Sequence, residues 1–401
     1  MTRGPIPSHF WRRPEIFTAV AKFDCTTLII EVRKATALSQ EQVARLTGLS
    51  QSVISRIESG RLVLRDVVKI RALLDGLGAP QMVPELSSVP ELEADAGTLA
   101  EQLSQTMPRD YIEAQNRGPR HSLHTASCYA HLVGHKLPAA RGADRTALLK
   151  VGARVAEWLG WLLQDHGDMP AAERWTGRAL EWAHDAGDPV MTAYVLFRKA
   201  NLATAQGHTG RALGLARTAQ HYCSLPRIQA LALQQEAHVH AHNGDLPRAL
   251  ARLDSAHQRT SLPDSDTGDE TLDLDYCRPA YIELQRARCL LEPSPRQALT
   301  VLEQITAVDS VAAGDRGMLQ ACQARAYTAS GDLDHGLQLA SQALDSAVET
   351  GSARVLTELR AIGRQIADHP GKKPVQADGF LRYLTTADLL RVDRGQRQRA
   401  Q

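Results

Sequence analysis

Short polar side chains and one guanidinium share a face of a predicted eight-residue helix near the N-terminus. Gln51, Ser52, Ser55 and Arg56 lie on this face, while the apolar residues between them point the other way. Amide, hydroxyl and guanidinium groups can hydrogen-bond to base edges in the major groove and to phosphates. The pattern therefore indicates nucleic-acid recognition, with the N-terminal end of this helix entering the groove.

Capping and turn residues define the helices that must position this face. Ser39 and Gln42 have the spacing of a capping box, and Ser50 can cap the helix that carries Gln51. Gly48 suits a turn that needs a positive φ. The apolar positions predicted to form one small core are Val43, Ala44, Leu46, Leu49, Val53, Ile54 and Ile57. Two short helices joined by a glycine turn predict a helix-turn-helix. The alternative is a helical hairpin whose polar residues are solvated surface.

The segment LSQEQVARLTGLSQSVISRIESG resembles the helix-turn-helix of the phage-repressor (Cro/C1, or XRE) family of bacterial regulators. The match runs without gaps over residues 24–78. The resemblance implies a phosphate contact from Gln40 and base reading by Gln51 and Ser52. It also implies a structural ion pair between Arg33 and Glu58.

Further DNA contacts are expected next to these positions. Ser50, Ser55 and Arg56 match family positions that commonly add base or phosphate contacts, and Arg61 and Arg65 follow the helix as candidate phosphate contacts. The predicted DNA-binding set is therefore Gln40, Ser50, Gln51, Ser52, Ser55, Arg56, Arg61 and Arg65.

Charge is distributed unevenly along the 401 residues. The whole chain has a formal net charge of +1, but residues 1–80 hold 12 Lys and Arg against 7 Asp and Glu. A basic end on a balanced chain indicates a small nucleic-acid-binding domain on a different body.

Aromatic residues make up only 4% of the chain, which favours an all-α fold over a β-sandwich. No run of apolar residues is long enough to cross a membrane. Six scattered Cys without a CxxC motif indicate reduced thiols, hence a cytoplasmic protein.

The body of the chain repeats a helix–turn–helix unit. Its predicted turn glycines are Gly167, Gly207, Gly244 and Gly331, and Pro293-Ser-Pro295 replaces the glycine in a degenerate copy. Small residues recur at fixed places in the copies: Gly160, Ala172, Ala200, Ala212, Ala237, Ala249, Ala298, Ala324 and Gly336. This pattern resembles the tetratricopeptide repeat, which implies a right-handed α-solenoid with a concave inner surface. A generic helical bundle is the alternative.

These signals divide the chain into four parts. We predict a helix-turn-helix domain over 1–80, a linker over 81–108 with a short helix at 91–105, and a tetratricopeptide-like solenoid over 109–370. Residues 371–401 are predicted to form a tail with a short amphipathic helix.

Other residues that could do chemistry carry weaker signals. His131 and His135, like His238 and His242, share one helix face four residues apart, but two ligands do not make a metal site. Four Trp residues concentrate at 158–182, as packing anchors or as a ligand or dimer surface. No nucleotide, hydrolase or metalloprotease motif occurs, so we expect no enzyme, no cofactor and no metal.

A repressor-type domain followed by a tetratricopeptide-like body resembles signal-responsive bacterial transcription regulators, and its residue usage resembles the actinobacterial type. The resemblance implies a homodimer that binds an inverted-repeat operator in double-stranded DNA, with no membrane contact. The concave surface of the body is expected to hold a peptide or small molecule, unless the body serves only for dimerisation. The alternative function is a protein-interaction scaffold with incidental DNA contact.

Overall fold

The computed structural model describes residues 24–36, 38–64, 67–77, 94–262, 276–307, 315–368 and 375–385, with Ile6, 10–13, Ile16, Ala19 and Leu274 as further described positions. The chain divides into two compact units, Met1–Ala94 and Asp95–Gln401. Every regular element of the described residues is a helix. The all-α prediction is confirmed.

In the part of the N-terminal unit that the structure describes, a short 3-10 turn lies at Phe10–Arg12, and the α-helices with defined bounds follow it. They are α1 (Cys25–Thr36), α2 (Gln40–Thr47), α3 (Gln51–Glu58) and α4 (Val67–Leu77). The predicted capping box begins α2, since Ser39 and Gln42 exchange side-chain-to-backbone hydrogen bonds. Gly48 ends α2 with a φ of 69°, a left-handed conformation that favours glycine. The predicted helix–turn–helix is therefore present as α2, the turn and α3.

The core of this unit extends beyond the two helices. Ile54 and Ile57 of α3 are fully buried against α1 and α4, and Phe10 and Trp11 join the same cluster from the N-terminal segment. The prediction that Leu46 faces this core is wrong, because its side chain is 36% exposed. The buried residues of α2 are Val43, Ala44 and Thr47, so Thr47 completes the buried stripe and Leu46 lies to one side of it.

The body consists of helices that pack as successive hairpins. After α5 (Ala96–Arg117) and α6 (Pro119–Lys136), the hairpins are α7 (Gly142–His166) with α8 (Met169–Asp185), α9 (Pro189–Ala205) with α10 (Thr209–Tyr222), α11 (Pro226–His242) with α12 (Leu246–Thr260), α13 (Pro279–Leu290) with α14 (Pro295–Ala307), and α15 (Arg316–Ser330) with α16 (Leu333–Thr350). They are followed by α17 (Ala353–Asp368) and a last helix, α18, over 377–385. This order confirms the tetratricopeptide-like solenoid.

Local signals fix the hairpin turns. The four predicted turn glycines all have positive φ, from 77° at Gly207 to 98° at Gly331. Four aspartates each cap the helix that follows them, because the side chain accepts a hydrogen bond from the backbone N–H three residues further along the chain. These are Asp168, Asp188, Asp245 and Asp332. The small residues of the repeat lie at helix–helix contacts. A Cβ on Gly160 would lie 2.5 Å from Thr176 Oγ1, and Ala172, Ala200 and Ala237 are fully buried.

The first helices of the hairpins form a continuous inner layer. Each of α7, α9, α11, α13, α15 and α17 packs against the next in this series, and α17 in turn packs against α7. The row of inner helices therefore closes on itself within the body. Ser352 and Arg354, at the start of α17, both bond to Asp165 near the end of α7, at 2.6 and 3.0 Å.

The structure differs from the predicted boundaries at the first helix of the body and at its last helix. The helix expected over 91–105 inside the linker is longer, because α5 begins at Ala96 and continues through Pro108. Proline removes a single backbone donor there, while Leu103, Met107 and Ala114 keep both halves of α5 packed. Residues 81–93 and 386–401 lie outside the described residues. The predicted amphipathic tail helix is α18, whose Ala377, Phe380 and Leu384 are buried in the core of the last hairpins.

Candidate nucleic-acid interface

The helix α3 separates an apolar face from a polar one. Gln51, Ser52 and Arg56 are exposed and Ser55 is half-buried, on the side opposite the buried Ile54. The predicted recognition residues thus share one accessible face. Exposed amide, hydroxyl and guanidinium groups in this arrangement can reach base edges and phosphates.

The N-terminal end of α3 is held by its capping serine. The side chain of Ser50 accepts a hydrogen bond from the backbone N–H of Val53 at 3.4 Å, and its hydroxyl lies 3.0 Å from that of Ser52. Both serines are exposed. The first turn of α3 therefore presents two hydroxyls and its free backbone N–H groups to solvent, which favours an anionic partner.

A chain of polar contacts runs from α1 to the exposed end of α3. Arg33 forms an ion pair with Glu58, and its Nε donates to the carbonyl of Leu38 at 2.9 Å. The other carboxylate oxygen of Glu58 accepts from Gln40 Nε2 at 2.6 Å. Gln40 Oε1 then accepts from Gln51 Nε2 at 2.9 Å. The amide of Gln51 is thus oriented through Gln40 by the Arg33–Glu58 pair.

The C-terminal end of α3 is anchored to the rest of the unit. Thr26 Oγ1 in α1 donates to the carbonyl of Ile57 at 3.0 Å, and Ser59 Oγ donates to the carbonyl of Arg56 at 3.2 Å. These bonds satisfy carbonyls that have no partner within the helix. The backbone beneath Arg56 is fixed while its guanidinium stays exposed.

The predicted DNA-binding residues do not all fall in one group. The structure places Gln40, Ser50, Gln51, Ser52, Ser55 and Arg56 around the start and outer face of α3. Arg61 is exposed but lies beyond the end of α3, and Arg65 lies outside the described residues. Sequence reasoning missed the direct Gln40–Gln51 contact. The signal for it is a glutamine at the first position of both helices, which the turn brings together.

One histidine of each pair considered for metal binding contacts another group of the protein. His238 is half-buried and its Nε2 lies 3.1 Å from Gln285 Oε1, and desolvation together with the nearby Arg288 lowers its pKa to about 3. His131 Nδ1 lies 2.6 Å from the carbonyl of Ser127. Across the described ranges, no three His, Cys, Asp or Glu side chains are grouped so that they could hold a metal ion. Within the same ranges, no helix has the length and apolarity needed to span a bilayer.

The fold and polar face of the N-terminal unit define a helix-turn-helix domain, and a family model described as "Helix-turn-helix domain" matches residues 30–86. No curated protein matches the sequence significantly. Among solved structures, Bacillus thuringiensis PlcR in complex with the peptide PapR7 and DNA is similar at 12% identity and a TM-score of 0.30, over 86% of this chain and 99% of that chain. The human IFIT1 dimer with PPP-AAAA is similar at 14% identity and a TM-score of 0.38, over 95% and 87%. Neither similarity is high enough to indicate a shared function.

Proposed function

We propose that this protein is a sequence-specific, DNA-binding transcription regulator. The observation that carries the proposal is the exposed face of Gln51, Ser52 and Arg56, on which the Gln51 amide is oriented by the polar chain that ends in the Arg33–Glu58 ion pair. A base-reading side chain needs both exposure and a defined direction, since a free rotamer must be ordered at a cost on binding. The match of residues 30–86 to a helix-turn-helix family supports the same conclusion.

We propose further that the regulator acts as a homodimer on an inverted repeat. One recognition helix of two turns reads only a few base pairs, so two copies related by two-fold symmetry are needed for a specific site. The half-sites would lie about one helical turn of DNA apart, roughly 10 base pairs. Dimerisation is assigned to the body, which spans Asp95–Gln401.

A signal-dependent switch is the third part of the proposal. The body would bind a peptide or small molecule on the concave side of the inner helices, and the ligand would favour one of two states that differ in DNA affinity. The inner layer offers buried polar groups for this, because Glu157 and Arg198 pair at 2.8 Å and Gln164 bonds Arg198 at 3.0 Å. A structural role alone would leave DNA affinity independent of every ligand.

The proposal is tested by selecting bound duplexes from a random DNA library with the full chain. We expect an enriched inverted repeat, and Arg56→Ala should weaken binding to that duplex by about tenfold or more while the fold is retained. Arg174→Ala, at an exposed position of α8, is the matched control and should bind as the wild type does. Selection that enriches no motif, or an R56A variant with unchanged affinity, would remove the assignment.

A further inference from the structure

A pocket opens on the body between α6, the turn after it and α8. It has a volume of about 500 Å³, and its walls carry two tryptophans, two arginines and two histidines: Trp175, Trp182, Arg145, Arg178, His131 and His135. A pocket of this size can take a small-molecule ligand. None of its lining residues belongs to the buried Glu157–Arg198 cluster, so this site is distinct from the concave surface to which the signal is assigned above.

The aromatic walls favour a flat ligand. Trp182 is buried apart from its pocket side, with 6% of its surface exposed, and the Arg178 guanidinium lies 5.9 Å from its ring centroid. Trp175 is half-buried and meets the ring of His131 edge-on, at 5.9 Å between centroids. Tryptophan faces offer large apolar contact to planar rings at a small cost in side-chain entropy. The half-buried Trp175, with the small exposed part of Trp182 in the same lining, therefore favours an aromatic group.

The charges around the pocket favour an anion. The lining includes two arginines and no carboxylate. Arg145 is held in the wall because its Nη1 donates to the carbonyl of Leu137 at 2.9 Å. Arg178 pairs with Glu181 at 3.1 Å, but both side chains are more than half exposed, so this pair is weak and can be exchanged for a ligand. An incoming carboxylate would meet one fixed guanidinium and one that can turn towards it.

A glycine keeps the pocket open. Gly134 lies inside α6 and lines the pocket, and a Cβ built on it meets no heavy atom within 4 Å. Glycine within a helix costs about 0.5–1 kcal/mol relative to alanine. The position tolerates a side chain sterically and would gain helix stability from one. A larger residue would instead occupy the pocket itself.

We propose that this pocket binds a planar aromatic carboxylate, with the ring against Trp175 and Trp182 and the carboxylate between Arg145 and Arg178. The size of the opening admits a small molecule, the tryptophans favour an aromatic ring, and two arginines in a lining without a carboxylate favour an acid. The residues that recognise it lie entirely within the helical body.

The test is isothermal titration calorimetry of the full chain without DNA, using indole-3-acetate and the neutral indole-3-acetamide as probes. We expect the acid to bind about tenfold or more tightly than the amide, because only the acid can pair with the arginines. Gly134→Leu places a side chain in the pocket and should weaken binding of the acid by about tenfold or more, since the ring of the ligand no longer fits. Gly214→Leu is the matched control, because Gly214 is also an exposed helical glycine with open space around it.

A second variant separates charge recognition from shape. Arg178→Gln should bring the affinities of the acid and the amide closer together while binding of the amide is unchanged. Equal binding of the two probes to the wild type, or no binding of the acid up to millimolar concentration, would overturn the proposal. Acid binding that G134L leaves unchanged would place the ligand elsewhere and would overturn it equally. Because no DNA is present, none of these outcomes depends on the proposed regulatory function.

Discussion

The two units of the chain use polar networks in opposite ways. In the helix-turn-helix unit, Arg33, Glu58, Gln40 and Gln51 form a chain of contacts that ends at an exposed amide. In the body, Asp165 is only 4% exposed and receives bonds from Ser352 and Arg354, nearly 190 positions later in the chain. The first network orients the amide that the proposed DNA contact would use. The second joins the two ends of the inner helix layer.

The two networks also differ in how far their charged groups are removed from solvent. Burial raises the pKa of Asp165, but the charge of Arg354 and hydrogen bonds from Arg354 and Ser352 outweigh it, so the pKa is lowered overall. The ionised carboxylate is thus stabilised by partners that only the closed body supplies. In the N-terminal network, Glu58 keeps 19% of its side chain exposed, against 6% for Asp165 in the body. Three of the predictions below disrupt one network and leave the other intact, and one tests His238, which belongs to neither.

The largest effect is expected from Asp165→Ala. Removing this carboxylate leaves Arg354 and Ser352 without their shared acceptor inside the body, which should lower the free energy of unfolding of the body by about 3 kcal/mol. Chemical denaturation of the full chain measures this. Glu173→Ala, which breaks an exposed pair with Arg211 at 3.5 Å, serves as the control and should change stability little. Equal stability of D165A and E173A would contradict the proposed closing role.

The next effect concerns the pH dependence of the body. The pKa of His238 is lowered to about 3, so between about pH 6.5 and this value the unfolded chain binds a proton that the folded chain does not. The contribution of neutral His238 to the free energy of unfolding is therefore fully present above about pH 6.5. It is lost as the pH falls below that value, by about 1.4 kcal/mol per pH unit. His238→Gln should remove this part of the slope, whereas His242→Gln, at an exposed position of the same helix, should retain it. The free energy of unfolding measured from pH 7 to pH 5 distinguishes the two.

A smaller effect is expected at the reading face. Gln51→Ala should relax base preference at one position of each half-site by about 1–3 kcal/mol, because its amide is the oriented group at the start of α3. Binding to duplexes with single-base changes measures this loss. Gln105→Ala, an exposed glutamine of α5, is the control. If Q51A discriminated bases as well as the wild type, another residue would have to be the reader.

The smallest effect is expected from Glu58→Ala. Arg33 loses its partner and Gln40 its acceptor, which should lower the stability of the N-terminal unit by about 1 kcal/mol because the pair is mostly shielded from solvent. A thermal melt of this unit measures the change. Glu41→Ala breaks the fully solvated pair with Arg45 and should have no measurable effect. A melting profile of E58A identical to that of the wild type would count against the pair.

Local signals in the sequence predicted local structure well. The Ser39 capping box and the left-handed Gly48 depend on residues within one turn of each other, and both are present. The exposure of Leu46 could not be predicted from polarity, because the buried stripe of α2 is completed by Thr47 and not by the leucine. The Asp165–Arg354 contact has no local signature, since its partners lie on helices far apart in the sequence. The pocket at Gly134 could not be predicted for the same reason. Its His and Trp residues stand out in the sequence, but the sequence does not show that they line one pocket.

The most direct test of the central claim is the affinity of the full chain for the selected duplex and for a scrambled duplex at physiological salt. A sequence-specific regulator should prefer the selected duplex by about a thousandfold or more. Equal, weak and salt-sensitive binding to both duplexes would show that only the phosphate backbone is contacted. That result would contradict the role assigned to α3 and would move the search for function to the helical body.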